Sequence, residues 1–576
     1  MSIPAQNQQY ENFIIRYKQN IEGVPEYQPD ERFQIINDLF GVLYVPIQEI
    51  PELALNSYSY SSIPRCYTYM DTGALSASGV TRLHGHPYLK LKGSGTLVAI
   101  IDSGIDYLHP AFHRGMTSKI LSIWDQELEG GMTEKIPFGR EFNRGEIEQA
   151  LSAENPWEVV PSMDKSGHGT EVAATAAGYS IEKEGFSGAA PEAELVVVKL
   201  KQAKRYLRDL YLLPQEADIY QEDDIMLAIA YVLRVAAENQ KPLSICIGLG
   251  SSMGAHQGEG PLNEYINSIV AFSQNAVSVP AGNEGTARHH YMKTLSAANI
   301  KDTIELRVGE KESTRGFMLE FWGDSPNFYS MTIQSPTGEQ LSISTSLKNN
   351  TQELSFVFVE TKVLVNYVPI ERRTGNTLIF IRFLHPAVGI WKFLVGERIP
   401  GESRFHMWLP VRGMISDDTY FLEPSPEYTV TSPGDAADAM TVTAYQYRDN
   451  SLYVQAMVDM YVRNYIDMND QMVDEYVLMD SSRLGKDLIL ALGCVADDPL
   501  SVSEKLFHYL EDLYMQDKLR QVRAAIHALG IILLSEDSYL EDMECCKGIV
   551  KASFLAGVFV GMKSEMEKLR GNVEQE

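Results

Sequence analysis

From residue 97 onward, short apolar runs alternate with helical patterns, and the runs are almost unbroken: LVAII (97–101), LVVVK (195–199), LSICI (243–247), AVSV (276–279) and MTVTA (440–444). A strand with one wet face alternates apolar and polar residues, whereas a strand covered on both faces reads as a continuous β-branched run. The five runs therefore predict a parallel sheet with helices on both sides. Between them, Ile225, Ala228, Ile229, Val232 and Val235 recur at helical spacing on a crossover helix, and Pro261 stands at the N1 position of another.

Other regions break this alternation. Residues 1–68 hold FIIRYK and FQIINDLFGVLYVPI, a small α+β pattern that closes in the turn-rich SYSYSSIPR. Residues 303–425 carry period-two stretches (Ile304, Leu306 and Val308; Leu354 to Val359; Thr377 to Phe383; Trp391 to Val395) between Gly, Pro and Asn turns. They predict a β sandwich or jelly roll inserted into the α/β domain of 69–302, which resumes at 426–455. In 456–576 an S-x-x-E box, Ser501 and Glu504, precedes Leu506, Leu510 and Leu513, and helical patterns follow at 519–534 and 540–568, so this part reads as a helical tail.

The net charge of −28 excludes a nucleic-acid partner, because phosphate backbones reward clustered Lys and Arg. The start, MSIPAQNQQYENF, lacks the features of a secretory signal, and the longest apolar run, FLAGVFVGM at 554–562, is too short to span a bilayer. Cys66, Cys246, Cys494, Cys545 and Cys546 form no CxxC pair and are odd in number, as suits a reducing compartment. The expectation is a cytoplasmic protein without a membrane span.

Three short pieces carry chemistry. In LVAIIDSGID, Asp102 stands at the carboxyl end of a buried strand, where open α/β sheets place their sites. In SGHGTEVAATAAG, His168 opens a helix of small residues able to pack close to its neighbours. In PAGNEG, Asn283 follows the AVSV strand with a side-chain amide available as a donor. Taken singly, each is as well explained by a cap or a turn.

Together and in this order, DSGID, SGHGT and AGNEG resemble the subtilisin-like serine proteases, the subtilases (peptidase S8), over residues 1 to about 455. The likeness is greatest to the germination-type (Csp) subtilases of spore-forming clostridia, with their short pro-module and inserted jelly roll. The resemblance implies a subtilisin-like α/β fold and endopeptidase chemistry. Asp102 would orient the imidazole, His168 would act as general base and acid, and Asn283 would donate to the oxyanion. Backbone at Gly248, Leu249 and Gly250 would pair with an extended peptide, although the family usually has Ser where Gly248 stands. Pro280 also departs from the usual apolar residue. The partner implied is a protein or peptide and, by analogy, a spore or germination protein. No cofactor is implied. Calcium is common in the family and suits the acidic balance, yet spacing assigns no ligand.

The nucleophile is where the resemblance ends. Past Tyr453 the sequence contains neither the Ala-Pro-Gly nor the Gly-Thr-Ser of a subtilase. Ser481, Ser482 and Ser553 stand near apolar helical patterns, but no Gly-Thr precedes them, and a serine beside a helix is usually a cap. The expectation is a pseudoprotease or truncated form. The alternatives are an active endopeptidase using a displaced serine such as Ser482, and a non-enzymatic interaction protein. The spine helix that carries the family's serine would need a replacement, and Gly548–Met562 or Lys486–Ala496 offer apolar ones.

Overall fold

A computed structural model describes residues 4–452 apart from 18–31, 51–52, 54, 56, 70–90, 131–132, 134–135, 182–185, 272–273, 297–299, 346–349, 398–401, 443–444 and 447–450. The expected helical tail, with Ser481, Ser482 and Ser553, lies outside the described residues.

The five apolar runs form five strands of a seven-stranded sheet. Its strands are β1 (Leu97–Asp102), β2 (Ile120–Asp125), β3 (Arg140–Asn143), β4 (Glu194–Lys199), β5 (Leu243–Ile247), β6 (Asn275–Pro280) and β7 (Met440–Val442). The spatial order is β7-β6-β5-β1-β4-β2-β3. Every pairing is parallel except β2 with β3, so the sheet is mixed. The apolar-run criterion misses β2 and β3 because ILSIWD is interrupted by Ser122 and REFN is largely polar. Pro280 fits because it is the last residue of β6, opposite Val442.

Three helices matter for the site. α1 (His168–Ala177) covers one face, while α2 (Glu222–Glu238) and α3 (Pro261–Val270) cover the other. Pro261 does open α3. In α2 the residues Ile225, Ala228, Ile229, Val232 and Val235 are all buried, as their spacing requires.

The inserted part consists of two antiparallel sheets over a shared apolar core. One sheet runs His290–Leu295, Ser403–Trp408, Phe317–Gly323, Thr377–Leu384, Lys362–Val368, Asn350–Ser355; the other contains Gly389–Glu397 between Lys301–Val308 and Tyr329–Gln334. The sandwich thus begins at His290, ahead of the expected boundary at 303. HYMKTL shows no clean alternation, because its place is fixed by pairing with Ser403–Trp408 across more than a hundred residues. The expected strand at Leu354 to Val359 ends at Ser355; Val357 and Phe358 sit in a turn, 82% and 74% exposed, held by backbone N–H bonds to Glu339.

Within 1–68, Tyr10–Arg16, Phe40–Pro46 and Phe33–Ile35 form a small antiparallel sheet. Its Ile14, Phe40, Val42 and Tyr44 join the same core as α2 and α3. Lys204 fixes it from the other side, with its Nζ donating to the Pro4 carbonyl (2.8 Å) and to Asn12 Oδ1 (2.7 Å).

Candidate active site

β1 delivers Asp102 to the carboxyl edge of the sheet, fully buried. Asp102 Oδ1 accepts the Ser103 backbone N–H (2.7 Å) and the His168 Nδ1 hydrogen (2.7 Å). An ionised carboxylate only accepts, so the imidazole carries its proton on Nδ1 and keeps the Nε2 lone pair as a base. The structure therefore brings Asp102 and His168 together.

That meeting depends on how the start of α1 is tied to the turn after β1. Ser103 Oγ donates to Asp164 Oδ1 (2.8 Å) and accepts the Gly169 N–H (2.9 Å). Asp164 also accepts the Gly167 N–H (3.0 Å), the Thr170 N–H (2.9 Å) and the Thr170 hydroxyl (2.6 Å). Burial by itself would raise the Asp164 pKa, but these bonds outweigh it and hold the carboxyl below the usual range. Sequence reasoning missed this clamp; its signal was an acid four residues ahead of the histidine in DKSGH. Gly169 is required for the close approach, since a Cβ there would lie 2.3 Å from the Gly104 carbonyl oxygen.

β5 ends beside the pair. A Cβ on Gly248 would lie 2.7 Å from Asp102 Oδ2 and 3.1 Å from His168 Cε1, so glycine is what lets β5 pass this close to the pair. Asp102 Oδ2, although buried, has no hydrogen-bond partner among the described residues. On the inner side, the Cys246 thiol is pushed up to about 12 by burial and then by the Asp102 charge, which keeps it an inert thiol. Asn283 follows β6 at the same edge, with its Oδ1 buried and without a hydrogen bond among the described residues. No hydrogen bond joins it to Asp102 or His168 among the described residues.

The backbone at Leu249–Gly250 is occupied by the chain itself. Residues Cys66–Tyr69 run as a strand between Tyr220–Gln221 and Leu249–Gly250, antiparallel to both, with Thr68 opposite Gly250 and Tyr69 opposite Leu249. Tyr67 is fully buried, its hydroxyl 3.5 Å from Ser432 Oγ. Just upstream the Arg65 guanidinium pairs with buried Glu222 (3.5 Å) and donates to the Met253 carbonyl (3.1 Å). Sequence reading closed the amino-terminal module at 68 with a turn; CYTY, four residues of good strand propensity, was the available signal. A cavity of about 470 Å³, lined in part by Ser103, Ser166, Leu200 and Tyr220, adjoins the cleft.

Residues 93–299 match the family model described as the subtilase family. They are a subtilase domain. The chain is also similar to the CspB protease of Clostridium perfringens, with 26% identity and a TM-score of 0.57 over 66% of this chain and 75% of that one. An extracellular protease of Xanthomonas campestris is 32% identical over 111 residues, 19% of this chain. The match spans 18% of that relative's length. The subtilase domain thus contains the carboxylate–imidazole pair, and the CspB likeness, at 66% of the chain, is longer than that domain. No helix among the described residues is long and apolar enough to cross a membrane. Among the described residues no group of three His, Cys, Asp or Glu side chains is placed to hold a metal ion.

Proposed function

We propose that this chain is a peptide-binding member of the subtilase family that holds an extended strand in its cleft without cutting it. The observation that carries this reading is the strand Cys66–Tyr69, paired on both edges next to Asp102 and His168. Main-chain pairing of this kind binds any extended peptide, and side-chain pockets add selectivity. Here the pocket contents are a buried tyrosine and a buried threonine.

Chemistry stops one group short. Peptide cleavage by this arrangement needs a hydroxyl whose proton passes to His168 Nε2 as its oxygen attacks the carbonyl carbon, with a donor such as Asn283 waiting for the oxyanion. Asp102 and His168 make such a base available. The sequence has no Gly-Thr-Ser to bring a serine to it.

The test uses the full chain, a serine-directed fluorophosphonate and intact-mass measurement. The expected result is a single species of 64.6 kDa with no labelling that depends on His168. Labelling abolished by His168→Ala, or a chain split just after the Cys66–Tyr69 strand, would establish an active endopeptidase and end the non-cleaving reading.

A further inference from the structure

The strand Cys66–Tyr69 is held in the cleft by main-chain pairing, which reads no side chain. The residue just ahead of it is gripped differently. Arg65 donates its backbone N–H to Glu222 Oε2 (3.2 Å) and accepts the Glu222 N–H at its carbonyl (2.9 Å), which continues the pairing of Cys66 with Gln221. The buried guanidinium meets the same glutamate a third time: Nη2 lies 3.5 Å from Glu222 Oε1, while Nη1 donates to the Met253 carbonyl (3.1 Å).

Missing side chains shape the walls of this pocket. A Cβ on Gly260 would lie 1.6 Å from Arg65 Nη2, and one on Gly254 would lie 2.8 Å from Nη1. Gly254 has φ +110°, which favours glycine in any case, but Gly260 has φ −72° and ψ 157°, ordinary extended backbone at the N-cap of α3. A Ser, Thr, Asp or Asn would cap that helix better. The guanidinium is therefore what Gly260 makes room for. Groups other than Arg65 hold the rest of the pocket in place. Glu222 Oε1 accepts the Leu262 N–H (3.2 Å), and the Gly254 N–H donates to Glu320 Oε2 (3.0 Å). Asp435, a second carboxylate whose charge acts on the guanidinium, accepts from the Gly258 N–H (3.0 Å) and the Asn263 amide (2.6 Å). A carboxylate, a carbonyl and two glycine walls suit a flat, forked cation; the ammonium of a lysine is a point charge that leaves such a slot unfilled.

We propose that the cleft selects its peptide by an arginine: the extended strand it accepts carries Arg two residues ahead of a buried aromatic, as Arg65 stands to Tyr67, with the guanidinium in the pocket of Glu222, Met253, Gly254 and Gly260. This rests on the reading of the cleft as a peptide-binding site and adds the class of peptide. Residues two apart on an extended segment project from one face, so a single peptide fills both pockets at once. Arg65 is the chain's own copy of the ligand. Tethering gives that copy a high effective concentration, so a second peptide competes only when the chain's own strand is weakened.

The test uses the full chain carrying Arg65→Ala and Tyr67→Ala, and fluorescein-labelled SIPRCYTY, the sequence of residues 62–69, with two analogues that have Lys or Ala in place of the arginine. Fluorescence anisotropy should show the arginine peptide binding at least about tenfold tighter than either analogue, and adding Glu222→Gln should bring the three together. Slow hydrogen exchange of the β1 and β4 amides shows that the variant folds. Equal binding of the three peptides, or binding of none, by a folded variant would overturn the proposal. If the variant does not fold, Arg65→Lys alone decides: exchange of the 66–69 amides should be at least about tenfold faster than in the parent, and unchanged exchange would overturn the proposal. Cleavage of the bound peptide would end the non-cleaving reading and leave the arginine preference standing.

Discussion

Two sets of buried carboxylates show how differently the subtilase domain and the sandwich use charge. In the sandwich, Glu312 is wholly buried and saturated: Oε1 accepts from Arg315 (2.7 Å) and the Ser416 N–H (3.1 Å), Oε2 from the hydroxyls of Ser416 (2.5 Å) and Thr419 (2.6 Å). Glu320 is likewise filled by Tyr60 (2.5 Å), Trp322 (2.8 Å) and the Gly254 N–H (3.0 Å). Asp102, equally buried, leaves one oxygen without a bond among the described residues and faces a glycine. A saturated buried carboxylate organises its neighbours; an unsaturated one costs stability and is retained where chemistry or binding uses it.

The largest expected effect tests the saturated side. Glu312→Ala orphans two hydroxyls, an N–H and a guanidinium, and should lower stability by about 4 kcal/mol in chemical denaturation. A loss under about 1 kcal/mol would break the contrast at once.

Imidazoles extend it. His290 and His406 share a hydrogen bond of 3.0 Å and stack on Trp408, itself stacked on His256. Burial, then the neighbouring His256, lowers the His290 pKa to about 3, and burial with the nearby His290, Arg404 and His256 pushes His406 well below its ordinary value. Depressed folded-state values mean that the unfolded chain takes up protons first as pH falls below about 6.5. The contribution of this histidine pair should therefore be constant above that pH and fall by about 3 kcal/mol on going down to pH 5. Denaturation midpoints at the two pH values check this, and His290→Gln should flatten the dependence.

Asp164 sharpens the comparison, since it is a saturated carboxylate within the subtilase domain. Asp164→Ala should cost about 2 kcal/mol and loosen the start of α1, read as faster exchange of the Gly167 and Thr170 amides. Its lowered pKa makes its contribution complete above the ordinary carboxyl range and lost as pH falls through the folded-state value.

The smallest effect belongs to Asp102→Asn. Removing a charge that is half-satisfied should change stability by less than about 1 kcal/mol while altering the His168 tautomer, visible in imidazole nitrogen NMR. A loss as large as that of Glu312→Ala would make Asp102 one more structural carboxylate.

How much of this was legible beforehand follows the range of the forces involved. The five core strands could be read because burial on both faces writes itself into consecutive residues, as in LVAII and LVVVK. The strands β2 and β3 at one end of the sheet could not, since ILSIWD and REFN pair without such a run. His290–Leu295 and Cys66–Tyr69 were missed for the same reason: each is a strand because of a partner far away in the chain. Asp102 and His168 were legible as residue types in short motifs. Asp164 was legible only as an acid, because its five hydrogen bonds, from Ser103, Ser166, Gly167 and twice from Thr170, depend on a turn geometry that the fold sets.

By itself the sequence determined which residues must be buried, which acid and which imidazole stand at strand and helix ends, and that no Gly-Thr-Ser accompanies them. Only the tertiary structure decided that the acid meets the imidazole at 2.7 Å, that Gly248 makes room beside them, and that residues 66–69 lie in the cleft. Composition and periodicity act through neighbours a few residues away, whereas these contacts join segments dozens to nearly two hundred residues apart, and only the closing of the chain on itself sets their distances.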